Sequence, residues 1–301
     1  MEYDVLVIGG GPAGLTAGIY AGRAGVKVAI VERNYTGGQA AETYEIENFP
    51  GYVKVGGFEL TQEMTKQAES CGAEIIYDEP VEFDGVNKTV KLMDGTTLSA
   101  KAIIIAGGAT HAHLGIDKED KLRGKGVSYC ATCDGAFFKN KVVCVVGGGN
   151  TALADALYLA NFAKSVYIIH RRREFRGSPT LVKRLEEKGV IIKTPYTPAE
   201  LLEEGGKLVG LMVEHRETGE KERIDTDGLF VAIGQNPDTE LFVGVDRDER
   251  GYIITDEDMR TNLEGVFSAG DCRKKFLRQI VTACADGAIA AERAVEYIME
   301  K

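Results

Sequence analysis

Two cysteines and an acid lie close together in the stretch SYCATCDGAFF, which covers residues 128–138. Cys130 and Cys133 are three positions apart, and Asp134 follows directly. Two thiols at this spacing can close a small ring reversibly, and a thiolate at a helix N-terminus is stabilised near neutral pH. The stretch therefore predicts redox chemistry at sulfur, with a carboxyl group within reach of the thiols.

A zinc site and a structural disulfide are two other uses of such a pair. Zinc needs four ligands, and outside this pair the cysteines and histidines show no second pair at ligand spacing beyond His111 and His113. A disulfide across so small a loop would constrain the unfolded chain little. We therefore predict a redox-active disulfide and no metal site. A helix-capping role for the Asp134 carboxylate stays open beside a chemical one.

Length and charge restrict the class of protein. A chain of 301 residues is long enough for two domains with cores of their own. Lys plus Arg number 36 against 46 Asp plus Glu, and the net charge of −10 disfavours nucleic acid or an anionic membrane as the main partner. No apolar run reaches the length of a membrane span and no export signal opens the sequence, so the predicted location is the cytoplasm.

One pattern of strand, glycine turn, Ala-rich helix and strand occurs twice. The first copy ends at Glu32 and the second, which starts at Lys141, ends at His170. In both copies the last residue lies 18 positions after the third fingerprint position, from 14 to 32 and from 152 to 170. The repeat predicts a pair of βαβ nucleotide-binding units. The fingerprints contain Gly9, Gly11, Pro12, Ala13 and Gly14 in the first copy, and Gly147, Gly149, Asn150, Thr151 and Ala152 in the second.

The residue that ends the second strand differs between the copies. Glu32 can accept hydrogen bonds from ribose hydroxyls and would repel a 2′-phosphate, which suits an unphosphorylated dinucleotide such as FAD or NAD. The second copy has His170 instead, followed by a run of arginines, which is the arrangement expected for the 2′-phosphate of NADP(H). The run consists of Arg171, Arg172, Arg173 and, past one turn, Arg176. A solvated basic face is the alternative interpretation of that run. We predict FAD at the first site and NADPH at the second.

The remaining elements indicate an α/β fold of two Rossmann-like (three-layer ββα) domains, with the NADPH domain inserted into the FAD domain. The predicted domains are 1–112 (FAD, first part), 113–242 (NADPH, with the cysteine pair) and 243–301 (FAD, second part). Other predicted elements are a helix over 56–71, strands over 73–76 and 101–106, a hairpin over 80–98 turning at Asp94 and Gly95, a helix capped at Ser178 and stopped at Gly189, three strands within 208–234, a strand over 265–271 and a helix from about Arg278.

Essentially the whole chain resembles the low-molecular-weight, bacterial type of thioredoxin reductase. The residues that carry the resemblance are GGGPAG with Glu32, GGQ at Gly37–Gln39, ENFPG at Glu47–Gly51, CATCDG from Cys130, GGGNTA from Gly147, HRRREFR from His170 and GVFSAGD from Gly265. A small departure is Gly107, in an AGG triplet where ATG is usual. The resemblance implies a homodimer whose FAD contacts include Gly38, Gln39, Asn48, Gly270, Asp271, Arg278 and Gln279, and whose NADPH contacts include His170, Arg171, Arg172 and Arg176.

The resemblance also implies roles for the residues of the opening stretch. NADPH reduces FAD and FAD reduces the disulfide, in which Cys133 is the flavin-proximal sulfur. Cys130 then attacks a disulfide of thioredoxin or a thioredoxin-like protein, and Asp134 is the general acid. We expect a domain rotation between these half-reactions, with hinges in GGATHAHLG and GQNPDT. An exposed phenylalanine at Phe137 or Phe138 could anchor the partner.

Other functions remain open for this sequence. A flavin dithiol oxidase of the same architecture would pass electrons to oxygen, and it would be expected to lack the arginine run. A reductase could take electrons from NADH or a ferredoxin. A non-catalytic module could sense nucleotides and use the cysteine pair as a regulatory switch.

Overall fold

The computed structural model describes residues 2–43 and 45–301. It divides into two compact units, the first formed by Met1–Thr110 with Asn236–Lys301 and the second by His111–Gln235. The first unit thus takes in residues 236–242, which the sequence analysis assigned to the inserted domain. Within the described residues, no helix combines the length and apolar character that a membrane crossing needs.

Helices and strands alternate in the two βαβ repeats, and runs of consecutive strands follow each repeat. The helices are α1 (Pro12–Arg23), α2 (Gly38–Ala41), α3 (Gly57–Ser70), α4 (Ala131–Asp134), α5 (Asn150–Leu159), α6 (Pro179–Glu187) and α7 (Ile280–Met299), with 3₁₀ turns at Gly135–Phe138 and Gly270–Cys272. The strands are β1 (Glu2–Ile8), β2 (Val28–Glu32), β3 (Glu74–Tyr77), β4 (Pro80–Asp84), β5 (Thr89–Leu92), β6 (Thr97–Ile105), β7 (Ala109–His111), β8 (Val127–Ser128), β9 (Val142–Val146), β10 (Ser165–Ile169), β11 (Ile191–Lys193), β12 (Tyr196–Glu204), β13 (Lys207–His215), β14 (Lys221–Asp225), β15 (Gly228–Val231), β16 (Gln235–Pro237) and β17 (Val266–Ser268).

The first unit is built on a mixed sheet with the order β3-β2-β1-β6-β5-β4. β1 pairs in parallel with β2 and β6, while β5 runs antiparallel to β6. β17 pairs in parallel with the last residues of β6. Alternate residues of β1 face opposite sides of the sheet, with Val5 and Val7 in one core cluster and Leu6 and Ile8 in the other. Burial on both faces is why these parallel strands are continuous apolar runs.

The second unit repeats the parallel part of this design. Its sheet has the order β11-β10-β9-β15-β8, and all of these pairs are parallel. The antiparallel meander β12-β13-β14 forms a separate sheet. Along β9, Val143 and Val145 belong to the core cluster that contains residues of α5, and Cys144 and Val146 belong to the one that contains residues of the meander. The predicted pair of Rossmann-like α/β units is confirmed.

Two local predictions differ from the structure in detail. The region 80–98 holds two reversals: Asp94 and Gly95 turn the chain between β5 and β6, and residues 85–88 turn it between β4 and β5. In the missed turn, Asp84 Oδ1 accepts hydrogen bonds from two following backbone N–H groups. Ser178 is the N-cap residue of α6, but its side chain makes no capping hydrogen bond.

Candidate active site

A disulfide joins Cys130 and Cys133 at the start of helix α4. Cys130 is the N-cap residue of this helix, and a single residue separates it from the end of strand β8. The two Cα atoms are 5.3 Å apart, and the backbone N of Cys133 lies 3.2 Å from Cys130 Sγ. Both cysteines are partly exposed. The pair is therefore fixed by a strand and a helix while its sulfurs stay close to the surface.

Asp134 closes helix α4 and binds a serine of the preceding strand. Ser128 Oγ donates to Asp134 Oδ2 over 2.6 Å. Burial raises the pKa of Asp134 above its usual range, and the Ser128 hydrogen bond and the Arg123 charge offset only part of that effect. The Asp134 side chain makes no capping hydrogen bond to the 3₁₀ turn that follows. The capping role that the sequence left open is therefore not seen at that turn, and the chemical role stays a prediction.

Phe137 and Phe138 lie in that 3₁₀ turn and have different surroundings. The Phe138 ring packs edge-on against Phe230 with centroids 5.2 Å apart, and it fills the space beside Gly228. The Phe137 side chain is 38% exposed. Of the two candidates for a docking anchor, Phe137 is therefore the one at the surface.

The first glycine fingerprint forms a tight turn between β1 and α1. A Cβ at Gly9, which has φ +108°, would collide with the Ala106 carbonyl oxygen, and a Cβ at Gly14 would collide with the Gly9 carbonyl oxygen. A Cβ at Gly11 would meet nothing within 4 Å. Pro12 occupies the first turn of α1. The turn thus needs its outer glycines for packing and leaves its middle glycine open to a ligand.

Glu32, at the end of β2, lies beside this turn. Its Oε2 accepts a hydrogen bond from Gly10 N over 2.8 Å, and its Oε1 accepts one from Asn34 N over 3.0 Å. Gly37 N donates to Gly10 O over 2.7 Å, and the Cβ position of Gly38 is 3.5 Å from Gly11 Cα. The structure therefore brings the GGQ motif and the strand-end acid to the glycine turn.

Two predicted flavin contacts that are 231 positions apart meet in the first unit. Asn48 Nδ2 donates to Gln279 Oε1 over 3.0 Å. The Arg278 guanidinium lies 4.0 Å from the centroid of the Tyr252 ring and donates from Nε to Asp271 O over 3.3 Å. The amide of Gln39 donates to Ala109 O.

Asp271 has a buried carboxyl group. Burial raises its pKa to about 6, although the charges of Lys275 and Arg278 oppose this rise. Its Oδ1 is buried and has no hydrogen-bond partner among the described residues. A ligand that donates a hydrogen bond would satisfy this oxygen. Gly270, before it, has φ +80° and donates from its N to Asp286 Oδ2 over 3.1 Å. The first unit thus offers a glycine turn, a strand-end acid and an unsatisfied buried acceptor, a set that fits a dinucleotide such as FAD.

The second fingerprint repeats this turn between β9 and α5. A Cβ at Gly147 would collide with the Ala232 carbonyl oxygen, whereas a Cβ at Gly149 would meet nothing within 4 Å. Ala152 is fully buried. Asn150 and Thr151 begin α5 at the surface, and Asn150 Oδ1 accepts a hydrogen bond from Ser178 N over 2.7 Å.

His170 occupies the place that Glu32 holds in the first copy. Its ring is buried, stacks on Phe175 with an angle of 16° between the planes, and covers Gly148. Burial and the neighbouring arginines lower the pKa of His170, so the imidazole is neutral at pH 7. Its Nε2 has no hydrogen-bond partner among the described residues. The buried ring is thus a packing element of the turn with one nitrogen still unsatisfied.

The arginines after His170 separate into two groups. Arg173 binds Glu217 with two hydrogen bonds of 2.8 and 2.5 Å. Arg171, Arg172 and Arg176 are exposed, and they form no ion pair with any described residue. These three are the arginines that the family resemblance implies as NADPH contacts. The run predicted from the sequence for a 2′-phosphate also included Arg173, which is paired with Glu217.

Comparison with known proteins agrees with this geometry. A family model described as pyridine nucleotide-disulphide oxidoreductase matches residues 3–287. The chain belongs to the pyridine nucleotide-disulphide oxidoreductase family. The predicted resemblance to thioredoxin reductases and the predicted class of flavoprotein disulfide reductase are confirmed.

Relatives of this oxidoreductase match it nearly end to end. It is 42% identical to a thioredoxin reductase of Listeria innocua over 301 residues, covering 99% of this chain and 94% of the relative, and 43% identical to one of Bacillus subtilis over 302 residues, covering 99% and 95%. The crystal structure of thioredoxin reductase from Streptococcus pyogenes is 38% identical with a TM-score of 0.93, and the match covers 100% of this chain and 99% of that one.

Two polar residues of this oxidoreductase were not predicted from the sequence. One lies beside the cysteine pair of the second unit and the other beside Gly270 of the first. Ser128 binds Asp134, and Asp286 of α7 accepts hydrogen bonds from Gly270 N and, over 2.7 Å, from Lys275 Nζ. A polar residue inside an otherwise apolar stretch was the available signal in both cases. The sequence separation of Ser128 from Asp134, and that of Gly270 from Asp286, is not one that the periodicity of a helix or strand predicts.

Proposed function

We propose that this oxidoreductase is an NADPH-dependent thioredoxin reductase. The observation that carries the proposal is the Cys130–Cys133 disulfide, held at the surface of the same unit that bears the arginine-lined fingerprint, with the Asp134 carboxyl beside it. The relatives named thioredoxin reductase support the choice of acceptor. The acceptor is thioredoxin or a thioredoxin-like protein disulfide.

The first unit is the FAD domain of this proposal and the second is the NADPH domain. When bound, FAD supplies a carrier that accepts two electrons from a nicotinamide and passes them on to a disulfide. The open side of Gly11 and the Glu32 carboxylate suit its pyrophosphate and ribose, and Asp271 Oδ1 suits a donor group of the ligand. In the second unit Gly149 leaves room for a pyrophosphate, and Arg171, Arg172 and Arg176 supply charge for a 2′-phosphate.

The roles proposed for the reduced cysteines are those that the family resemblance implies. The Cys130 thiolate attacks one sulfur of the partner disulfide, so that a mixed disulfide forms while the partner's sulfur–sulfur bond breaks. Asp134 gives a proton to the thiolate that leaves. Cys133 then attacks Cys130 Sγ, which releases the second partner thiol and forms the Cys130–Cys133 disulfide again. Two electrons pass from the cysteine pair to the partner in each cycle.

The two segments that join the units are a candidate hinge for the expected domain rotation. β7 and β16 pair with each other, and Ala112 N donates to Gly234 O over 3.0 Å. This pairing keeps the two connecting segments side by side, so that both segments can bend together. A cross-link that fixes the units but permits flavin reduction by NADPH should abolish turnover with a protein disulfide. Unchanged turnover would remove the rotation from the proposal.

We infer from the family resemblance that the functional form is a homodimer in the cytoplasm. Light scattering of the purified protein tests the first point, and fractionation of native cells tests the second. A protein that is monomeric at working concentrations would contradict the dimer.

An anaerobic assay with purified protein, NADPH and a thioredoxin tests the function. The wild type is expected to be yellow, to lose its visible absorbance with NADPH, and to reduce the thioredoxin. Cys130→Ser and Cys133→Ser should each abolish thioredoxin reduction, because each removes one sulfur of the exchange. Cys71→Ser, which changes a partly buried free cysteine of the first unit, is the matched control and should stay active. Undiminished activity in either of the first two variants would overturn the proposal.

A further inference from the structure

Ser128 lies between two groups of the proposed site. Its side chain is buried, with only 4% of the residue exposed. Its Oγ is 2.6 Å from Asp134 Oδ2 and 3.1 Å from the backbone N of Cys130. One hydroxyl therefore connects the carboxyl group to the backbone of the attacking cysteine.

The direction of these hydrogen bonds is fixed by their donors. The Cys130 N–H can only donate, so Ser128 Oγ accepts from it. The hydroxyl has a single proton to give, and it goes to Asp134 Oδ2 at 2.6 Å rather than to Cys130 O at 3.4 Å. Asp134 Oδ2 is thus engaged as an acceptor, and a proton on this carboxyl is carried by Oδ1.

We propose that Ser128 is a positioning residue for the reduction of the partner disulfide, because it fixes the Asp134 carboxyl in register with Cys130 and keeps the transferable proton on Oδ1. The inference rests on the function proposed above and adds a residue to it. Asp134 gives its proton to the leaving thiolate and becomes a carboxylate, which the Ser128 hydroxyl and the positive charge of Arg123 stabilise until solvent returns the proton. Arg123 is the charged group that acts on Asp134, and the reduced Cys130 and Cys133 add two thiols beside it. Tyr129, next to Ser128, contacts Glu119 and His113.

The pH profile of thioredoxin reduction separates this role from a purely structural one. The hydrogen bond from Ser128 favours the charged form of Asp134, so its loss raises the pKa of Asp134. Activity that needs protonated Asp134 declines as the pH rises through this pKa. In Ser128→Ala we therefore expect that decline to move up by about one pH unit, with a fall in kcat of about 10-fold at the optimum. Ser128→Thr, which keeps the hydroxyl, should restore the wild-type profile.

A double-variant cycle tests whether Ser128 acts through Asp134. Once Asp134→Asn has removed the acid, adding Ser128→Ala should change the rate by less than about twofold. Ser165→Ala makes the same substitution on a strand of the same unit and should leave the profile unchanged. The inference is overturned if Ser128→Ala lowers the rate equally at every pH, or if its effect multiplies with that of Asp134→Asn. Failure of the proposed function is distinct, because the wild type itself would then reduce no thioredoxin.

Discussion

The imidazole of His170 lies against the backbone of Gly148 so closely that a Cβ on this glycine would collide with three atoms of the ring. The first unit has the matching contact between Glu32 and Gly10, where a Cβ would come within 3.0 Å of the glutamate side chain. Each strand-end residue is thus packed over the middle of its glycine turn. The two copies share this architecture but place a carboxylate in one site and a neutral ring in the other.

Replacing Gly148 should damage the second site more than the same change damages the first. In Gly148→Ala the rigid His170 ring must move, which we expect to lower the free energy of unfolding by about 1–3 kcal/mol and to raise the KM for NADPH. In Gly10→Ala the new Cβ comes no closer to the Glu32 side chain than 3.0 Å, so a smaller shift suffices and the change should cost less. Urea unfolding and steady-state kinetics check both variants. Equal effects at the two glycines would contradict this account of the packing.

Three exposed arginines after His170 should determine the preference for NADPH. Arg171→Ala, Arg172→Ala or Arg176→Ala removes charge from the proposed 2′-phosphate site, and each should raise the KM for NADPH about 10-fold or more while the KM for NADH stays nearly constant. Arg173→Ala is the matched control, because its guanidinium is held by Glu217. If Arg173→Ala changed the preference as much as the others, the basic run would act as a general surface charge.

Asp155 on α5 should make stability depend on pH. Burial raises the pKa of the Asp155 carboxyl group to about 6, and this group has no hydrogen bond or ion pair to any other described residue. Because the folded pKa is above the unfolded value of about 3.9, the stability that this group contributes is complete below pH ~4 and is lost as the pH rises through 6. Asp155→Asn should therefore gain up to about 3 kcal/mol over the wild type at pH 8 and little at pH 4. Urea unfolding at the two pH values measures the difference, and an equal gain at both would exclude titration as the cause.

Phe137 should contribute to binding of a protein partner. Its ring is partly exposed on the turn that follows the disulfide helix, whereas Phe138 is packed against Phe230. Phe137→Ala is expected to raise the KM for thioredoxin about 10-fold and to leave reduction of a small disulfide unchanged. Phe58→Ala, at an exposed phenylalanine of the first unit, controls for loss of surface area. If the KM for the small disulfide rose as well, Phe137 would be assigned to folding of the site and not to partner binding.

Sequence patterns were sufficient for the parts of the fold that local chemistry determines. The glycine spacing and the apolar runs predicted both βαβ units, because strand, turn and helix follow one another directly along the chain and Gly14 packs against the nearby Gly9. The arginine run likewise predicted a basic site after His170, and the family resemblance narrowed it to Arg171, Arg172 and Arg176. The turn at residues 85–88 was missed although Asp84 and Gly85 signalled it, since a second aspartate–glycine pair follows ten positions later.

Contacts between distant segments could not be predicted in the same way. The hydrogen bond between Asn48 and Gln279 and the contact of Asp286 with Gly270 depend on how strands and helices are arranged in space. The neutral, buried state of His170 also depends on packing, because the sequence shows the arginines around it but not the Phe175 ring above it. Resemblance to relatives supplied several of these residues, and the physical reason for their positions came from the structure.

The order of segments along the chain has a consequence for biosynthesis. β17 and α7 complete the first unit, and Gly287 of α7 is so close to Ala13 of α1 that no larger residue would fit. The ribosome makes these elements after residues 111–235, which form the second unit as one uninterrupted stretch. A nascent chain can therefore finish the unit with the cysteine pair before β17 and α7 have joined the other unit, so the second unit can fold first during synthesis.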